Sequence, residues 1–402
     1  MSPALETLFI SQFYRPELIG SGPFCADLAD CLAANGHRVE VLTNLPHYPG
    51  RTIFPGYGDR AGTRETVGGV TVRRLPTRVP QGAGARERLL SESHFLMQGG
   101  RALATGAIKR RPLVLSLCPS IFASMLGNLA RTPGGRHIAI VHDIQSGLAR
   151  GLGMLGGSLP AALQHLERFV LNRADLIVVL SDKMRDHLGA VGVTAPIAVF
   201  PIWVDVDAIH PLPVNGRDRP TVVYSGNFGR KQGLDQVLDL AALLKETHPG
   251  IAIVLRGRGS QAEHLAAQIA ARRLANVRIA DLVPPERLNA GLAEGDIHLV
   301  PQDPEAADFA VPSKIYNIMA AGRPFIATAR PDSVLWRLQQ ECGGFVCVPP
   351  YDARRFSEAV TALAENAALR QEMGQRARNF VVERFAKRRV LGELLTVLDG
   401  VR

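Results

Sequence analysis

The sequence predicts an α/β protein built from two Rossmann-like domains in tandem. Three observations lead there. Near-continuous apolar runs such as TLFIS (7–11), LVLSL (113–117), LIVVL (176–180) and IHLVP (297–301) alternate with stretches of helical periodicity. That is the signature of parallel sheets covered on both faces. The alternation restarts after a segment rich in Pro and Asp at 201–220. The length of 402 residues, with 46% apolar and 21% charged residues, suits two ordinary globular domains and excludes wholesale disorder or collagen-like repetition.

In the first half, strand 7–11 leads through the loop QFYRPELIGSG into a helix. Its residues Phe24, Leu28, Cys31 and Leu32 share one face, and Gly36 stands at its C′ position. Strands follow at 38–43 and 70–75, then a basic helical segment at about 84–110. Strand 113–117, a helix and strand 137–141 come next. A helix at 159–172, strand 176–180, a helix from Ser181 and strand 197–200 complete this half. The second half reads as strand 221–226, helix 234–246, strand 251–257, helix 260–273, strand 277–280, helix 285–293, strand 297–301 and helix 313–321. Strand 324–328, a helix near 333–340, strand 344–348 and two C-terminal helices close it. The expected division is a domain over 1–200, a linker over 201–220, a second domain over 221–378, and a C-terminal helix over 379–402 packing back toward the first domain. Ligands of such sheets bind beyond the carboxyl ends of the strands, so a site is expected between the two domains.

The formal charge is +9 and is unevenly spread. Residues 1–200 hold 21 basic and 14 acidic residues, a balance of +7, and the remainder contributes +2. The excess gathers at Arg64, Arg73, Arg74, Arg78, Arg86, Arg88, Arg101, Lys109, Arg110 and Arg111. Such a face suits nucleic acid, an anionic membrane or a phosphorylated substrate. Aromatics make up only 6%, and the cations of 84–111 lie beside Leu89, Leu90, Phe95, Leu96 and Met97. Nucleic acid is thereby disfavoured, and a peripheral membrane surface is the expected partner. Five cysteines form no CxxC pair, which fits a reducing compartment. The N-terminal stretch lacks the basic region of a signal peptide. The uncharged run 112–130 reads better as strand, loop and helix than as a membrane span. A cytoplasmic protein is expected.

Three glycine- or cation-bearing loops carry the chemistry. Gly20-Ser21-Gly22 follows a strand and opens a helix, where backbone N–H groups can approach a phosphate. It is not a GxGxxG, and no acidic residue ends the second strand, so a dinucleotide site is disfavoured. Gly226-Asn227-Phe228-Gly229-Arg230-Lys231-Gln232-Gly233 sets two adjacent cations among glycines after a strand, and these can neutralise a departing diphosphate. Arg258, in Arg256-Gly257-Arg258-Gly259, closes the next strand at the equivalent position. The third loop leads through Asp308 and Pro312 to Ser313, a helix-capping residue, with Lys314 adding charge at an anion-binding helix start. Asp205-Val206-Asp207 offers too few carboxylates for a divalent cage and reads as a capping feature; no metal is expected.

Taken together, SGNFGRKQGL, VPSKIYNIMAAGRP, FYRPELIGSG and PHYPG at 46–50 resemble the family 4 glycosyltransferases, most closely the colanic-acid-type branch that builds bacterial exopolysaccharides. The resemblance spans nearly the whole chain. It implies the GT-B fold and a nucleotide-sugar donor held mainly by the second domain. It also implies an acceptor held by the first domain, transfer with retention, and no cofactor. It implies that Lys231 contacts the donor diphosphate. Its basic partner usually lies a few residues earlier, where Asn227 stands, which leaves Arg230 as the candidate. The family's pair of glutamates spaced eight apart is replaced by Phe309 and Asn317, with Asp308 or Glu305 as substitutes and Asn317 able to hydrogen-bond a ribose hydroxyl. In the first domain, His142 and Asp143 resemble the segment that faces the sugar. His47, expected at the cleft's rim, and Tyr48 are expected to contact the acceptor. The implied reaction moves a sugar to a lipid-linked, polyprenyl-diphosphate glycan at the inner face of the plasma membrane. The alternatives are a soluble small-molecule acceptor or a nucleotide-sugar binder without catalysis. Oligomeric state is left open.

Overall fold

A computed structural model of the chain describes residues 5–17, 21–48, 50–82, 84–118, 120–144, 159–213, 220–306 and 312–400. The chain divides into two compact units, Met1–Pro201 with Leu391–Arg402, and Ile202–Val390.

In unit 1 the strands are β1 (Glu6–Ile10), β2 (Arg38–Asn44), β3 (Arg64–Val67), β4 (Val70–Leu75), β5 (Arg111–Cys118), β6 (Arg131–Val141), β7 (Leu176–Val179) and β8 (Ile197–Val199). Among the described residues they form one sheet in the order β3-β4-β2-β1-β5-β6-β7-β8. Every pairing is parallel except β3 with β4. The helices are α1 (Gly22–Ala34), α2 (Ala85–Ala104), α3 (Ile121–Ala130), α4 (Leu159–Leu171) and α5 (Asp182–Ala190). The uncharged run 112–130 is thus β5 and α3, and no helix among the described residues is long and apolar enough to cross a membrane. Leu8, Ile10, Leu42, Leu75, Phe95, Val114 and Leu126 pack into one core cluster. Ser181 caps α5 by accepting from the Met184 N–H at 3.3 Å, as a serine before a helical run should.

The antiparallel edge strand β3 has no counterpart in the sequence reading. Its four residues RETV face solvent almost throughout and carry no apolar alternation to reveal them. Ion pairs hold it instead: Arg74 to Glu65 at 2.7 Å and Arg64 to Glu40 at 3.2 Å. These pairs also revise the basic face expected from charge counting. Arg73 and Arg111 join Arg64 on the same Glu40 carboxylate, Arg78 pairs with Glu87 and Arg88 with Glu92. Arg74 is buried, 2% exposed, and donates to the Arg15 carbonyl at 2.8 Å. Exposed cations remain at Arg86, Arg101, Lys109 and Arg110.

Unit 2 holds β9 (Thr221–Asn227), β10 (Ala252–Arg258), β11 (Val277–Ala280), β12 (Ile297–Val300), β13 (Phe325–Thr328) and β14 (Val346–Val348). They form a parallel sheet in the order β11-β10-β9-β12-β13-β14. Its helices include α6 (Asp235–Thr247), α7 (Ala262–Ala271), α8 (Leu288–Ala293), α9 (Lys314–Ala320), α10 (Val334–Cys342), α11 (Ala353–Glu365) and α12 (Ala367–Phe385), and α13 (Lys387–Gly400) follows. Three helices therefore end the chain where the periodicity predicts two. Asn366 ends α11 and caps α12 through the Leu369 N–H at 2.9 Å. Residues of the expected linker pack into this unit. Ile202, Trp203 and Val204 are buried, and Arg378 donates to the carbonyls of Val206 and Ile209. Asp205 accepts from the N–H groups of Asp207 and Ala208, which closes a turn; no helix follows it for the carboxylate to cap.

One buried network in unit 1 has a pH consequence. His137 is fully buried. Asn128 gives its amide N–H to the Val170 carbonyl, so its oxygen accepts from His137 Nδ1 at 2.8 Å. Nε2 lies 2.8 Å from Ser116 Oγ, from which the neutral ring accepts. Burial, aided by Arg131, pushes this histidine down to about 3. Below the ordinary value of about 6.5 the unfolded chain takes a proton that the folded chain refuses, so stability is lost as pH falls from there toward 3. The slope is up to about 1.4 kcal/mol per pH unit. Guanidinium denaturation at pH 7.5, 6.0 and 5.0 should record this decline, and His137→Gln should flatten it; an unchanged slope in the variant would assign the decline elsewhere.

Candidate active site

In unit 2 the site residues gather at the carboxyl end of β9. Its backbone and that of β10 touch there, Gly226 opposite Gly257 and Asn227 opposite Arg258. A Cβ on Gly257 would stand 1.9 Å from the Gly226 carbonyl oxygen, so only glycine permits the approach. Tyr224 turns its hydroxyl to the Asn227 carbonyl at 2.7 Å, and its ring receives the Lys314 ammonium, Nζ 3.7 Å from the ring centroid. A Cβ on Gly226 would lie 3.7 Å from the same Nζ. Lys314 Nζ is buried and has no hydrogen-bond partner among the described residues. Burial pushes its pKa down to about 7; among the described residues only the ring face compensates the lost hydration.

The neighbouring cations are held differently. Arg230 and Lys231 lie in a single 3₁₀ turn, Arg230–Gln232, with Arg230 exposed. Asp303 N–H donates to the Lys231 carbonyl at 3.0 Å, which docks the turn against the end of β12. Gln236, 2% exposed, ties this region together. Its amide N–H donates to the carbonyls of Gly233 and Gln302, both at 3.3 Å, and its oxygen accepts from Tyr351 N–H at 2.9 Å. Arg258 turns away to Asp281, with Nη2 at 2.9 Å, on an exposed surface. The helix expected to bind anions at its start has only seven residues, and Ser313 is itself helical and makes no side-chain cap bond. The charge there comes from Lys314. Pro312 and Ser313 lend their carbonyls to the first turn, accepting from Ile315 and Tyr316. Asn317 follows Lys314 by three residues on α9, on the neighbouring face. Asp308 and Gly20 lie outside the described residues.

In unit 1 four strand ends meet. His142 follows β6, is 9% exposed, and has Phe24 edge-on with ring centroids 5.6 Å apart. Burial pushes it down to about 4 against the opposing pull of Asp143, so at neutral pH it offers one N–H rather than a charge. His47, expected at a rim, is buried at 4% exposure. Its Nδ1 lies 2.9 Å from the Leu45 carbonyl; Tyr48 beside it is half-buried. Phe13 packs between the two rings, 6.0 Å from His47 and 5.1 Å from Tyr48.

Residues missed by sequence reasoning complete this edge. Glu17, 1% exposed, accepts from the N–H groups of Tyr14, His47 and Tyr48 at 3.2, 2.9 and 2.8 Å. Glu92 accepts from Arg88 Nε at 2.8 Å and from Ser120 Oγ at 3.0 Å, and brings that guanidinium within electrostatic reach of Asp143 and Tyr48. Arg88, half exposed, thus joins this edge to the outer surface of the helix. The available signal was a charged residue, Glu92, inside an apolar helical period. At Gly22 a Cβ would stand 2.7 Å from the Glu17 carbonyl oxygen, so glycine is needed there for the loop to close.

Known proteins match this arrangement. The glycosyl transferase 4-like domain matches residues 20–203, and glycosyl transferases group 1 matches residues 207–380. WcaI of Escherichia coli (strain K12), a colanic acid biosynthesis glycosyl transferase by name, is 31% identical over 96% of this chain and 98% of its own. The chain belongs to this glycosyltransferase family. Among solved structures, sucrose-phosphate synthase from Thermosynechococcus elongatus superposes with a TM-score of 0.79 at 18% identity, covering 99% of this chain and 100% of the other. Anabaena Alr3699/HepE in complex with UDP-glucose gives 0.72 at 14% identity, covering 98% and 100%. The GT-B fold of two Rossmann-like domains is the fold these neighbours share, and this glycosyltransferase has it.

The state of Lys314 makes a prediction that separates folding from function. An unpaired buried ammonium opposes folding, so Lys314→Met, which keeps the ring contact and removes the charge, should raise the stability of this glycosyltransferase by on the order of 1–3 kcal/mol. Thermal or urea unfolding at pH 6.5 checks it. A fall in stability would mean that the ammonium has a partner in the folded protein.

Proposed function

We propose that this glycosyltransferase moves a sugar from a nucleoside-diphosphate donor to a lipid-linked, polyprenyl-diphosphate glycan, with retention, in bacterial exopolysaccharide synthesis. The observation that carries the donor half is the buried Lys314 ammonium beneath Gly226, without a hydrogen-bond partner among the described residues. A diphosphate entering there would supply the missing anion and be held more strongly as charge builds on the leaving oxygen. Lys231, with Arg230, adds to that field, and Gly226, Asn227 and Asn317 line the same strand end and helix. HepE, with UDP-glucose bound in a fold of the same kind, supports a nucleotide sugar as donor; WcaI's name supports an exopolysaccharide product.

In this reading unit 2 takes the donor and unit 1 the acceptor. His142 donates its single N–H to a hydroxyl of the transferred sugar, and Asp143 orients it. His47 and Tyr48 meet the acceptor. The acceptor oxygen bonds to the anomeric carbon on the face the diphosphate leaves. The bond from that carbon to the phosphate oxygen breaks, and the departing phosphate takes the acceptor's proton. No side chain is required as a base, which accords with a neutral His142 and with the replacement of the family's glutamate pair by Phe309 and Asn317.

The lipid half of the reading rests on α2. Leu89, Leu90 and Met97 are 47%, 38% and 60% exposed, beside the exposed Arg86 and Arg101. Apolar bulk among cations suits the surface of an anionic bilayer at the cytoplasmic side.

Two measurements test the proposal. Purified enzyme, UDP-, GDP- and dTDP-sugars, and polyprenyl-diphosphate glycans extracted from the source cells should give a sugar-sized mass gain on the lipid. Lys231→Ala and Lys314→Met should each lower kcat/KM for the donor by about 10²–10³-fold. A mass gain only on a soluble acceptor would move the substrate class, and donor binding without product or released nucleotide would mark a binder. In the second, the enzyme should co-sediment with phosphatidylglycerol vesicles at low salt. Paired Leu89→Glu and Met97→Glu changes should reduce that binding at least fivefold.

A further inference from the structure

We infer that Glu17 is a positioning residue for the acceptor: its carboxylate clamps the His47–Tyr48 turn after β2 to the loop after β1 and so fixes where the two rings stand. The inference rests on unit 1 being the acceptor side, as proposed above.

The geometry is over-determined for a simple turn. One carboxylate oxygen, Oε1, accepts from two successive backbone N–H groups, His47 and Tyr48, while Oε2 accepts from Tyr14, three residues earlier in Glu17's own loop. The backbone of Glu17 is fixed from the other side by Gly22, the first residue of α1, where a Cβ would come within 2.7 Å. Phe13, on the same loop as the carboxylate, wedges against both rings of the turn. Burying a carboxylate against main-chain donors is a costly way to close a loop. A loop needing only closure could be packed with apolar side chains. What the carboxylate adds is a defined register between two segments 30 residues apart, and that register carries His47 and Tyr48.

Burial raises the Glu17 pKa above the ordinary carboxylate value, against the three N–H groups and His47, which favour its charged form. The groups facing it are Tyr14 on its own loop, and His47, with Nδ1 3.9 Å away, and Tyr48 across from it. As pH falls through that raised value the carboxyl gains a proton, loses acceptor capacity and loosens the turn. Acceptor KM should then rise on the acid side, while donor KM does not follow.

The test compares wild type, Glu17→Gln, Glu17→Asp and His47→Gln in the transfer assay, titrating donor and lipid-linked glycan separately from pH 5 to 8. Glu17→Gln places an amide N–H against the Tyr14 N–H. It should raise acceptor KM at least tenfold, leave donor KM and nucleoside-diphosphate affinity within twofold, and abolish the acid-side rise. Glu17→Asp, a carboxylate one methylene short, should fall between the two and keep the acid-side rise, which should also persist in His47→Gln. Unmoved acceptor KM in Glu17→Gln overturns the role, as does a parallel loss of donor and acceptor affinity with a lowered thermal midpoint. Should Glu17→Gln not fold, the profiles of wild type and His47→Gln decide: a rise lost with His47 overturns it. Absence of wild-type transfer to any lipid-linked glycan fails the acceptor reading itself, and this role with it.

Discussion

A parallel sheet sends every strand out at the same edge, and the loops that leave there have no hairpin partner to define them. Both units meet this constraint with one buried polar side chain that collects main-chain groups from several loops. In unit 1 it is Glu17, which gathers N–H groups from the β1 and β2 exits. In unit 2 it is Gln236, which gathers two carbonyls and one N–H from the exits of β9, β12 and β14. The difference between carboxylate and amide follows from what each must satisfy: donors alone in the first case, both kinds in the second. Around these two clamps the aromatic, cationic and glycine residues of the site take their positions.

How much of this was legible in the sequence divides by the range of the interaction. The strands VTVRRL and VRIA emerge with the bounds the sequence predicts, because a strand's side-chain pattern is written locally even where, as in VRIA, the strand is a half-exposed sheet edge. The strand exit that carries His142 and Asp143 and the helix start at Lys314 were legible for the same reason. Glu17 and Gln236 were not, since their partners stand 30, 66 and 115 residues away. Arg88 stands on the surface as its charge suggests, but its pairing with the inward Glu92 one turn later was not legible. Ser313 looked like a cap by type, yet its backbone is already helical, and residue type cannot report a dihedral angle.

The charge count is instructive in the same way. The excess of positive charge in the first half suggested a continuous basic face, but six of its ten members are engaged by carboxylates of the same unit. Net charge therefore measured how many cations the chain has, and the fold decided where they act. What remains exposed is a smaller group, and part of it lies beside the apolar side chains of α2.

Glu40 deserves a last consideration as a junction. A single carboxylate on β2 serves Arg64 of β3, Arg73 of β4 and Arg111 of β5, while β3 contributes almost nothing to the core. Beyond its antiparallel pairing with β4, the side-chain free energy that retains β3 is thus electrostatic, whereas that of its neighbours is hydrophobic, and the two respond to different solvents. High salt weakens the first and leaves the second intact. β3 should consequently open on its own, its amide protons exchanging sooner, and faster with rising ionic strength, than those of the buried strands beside it.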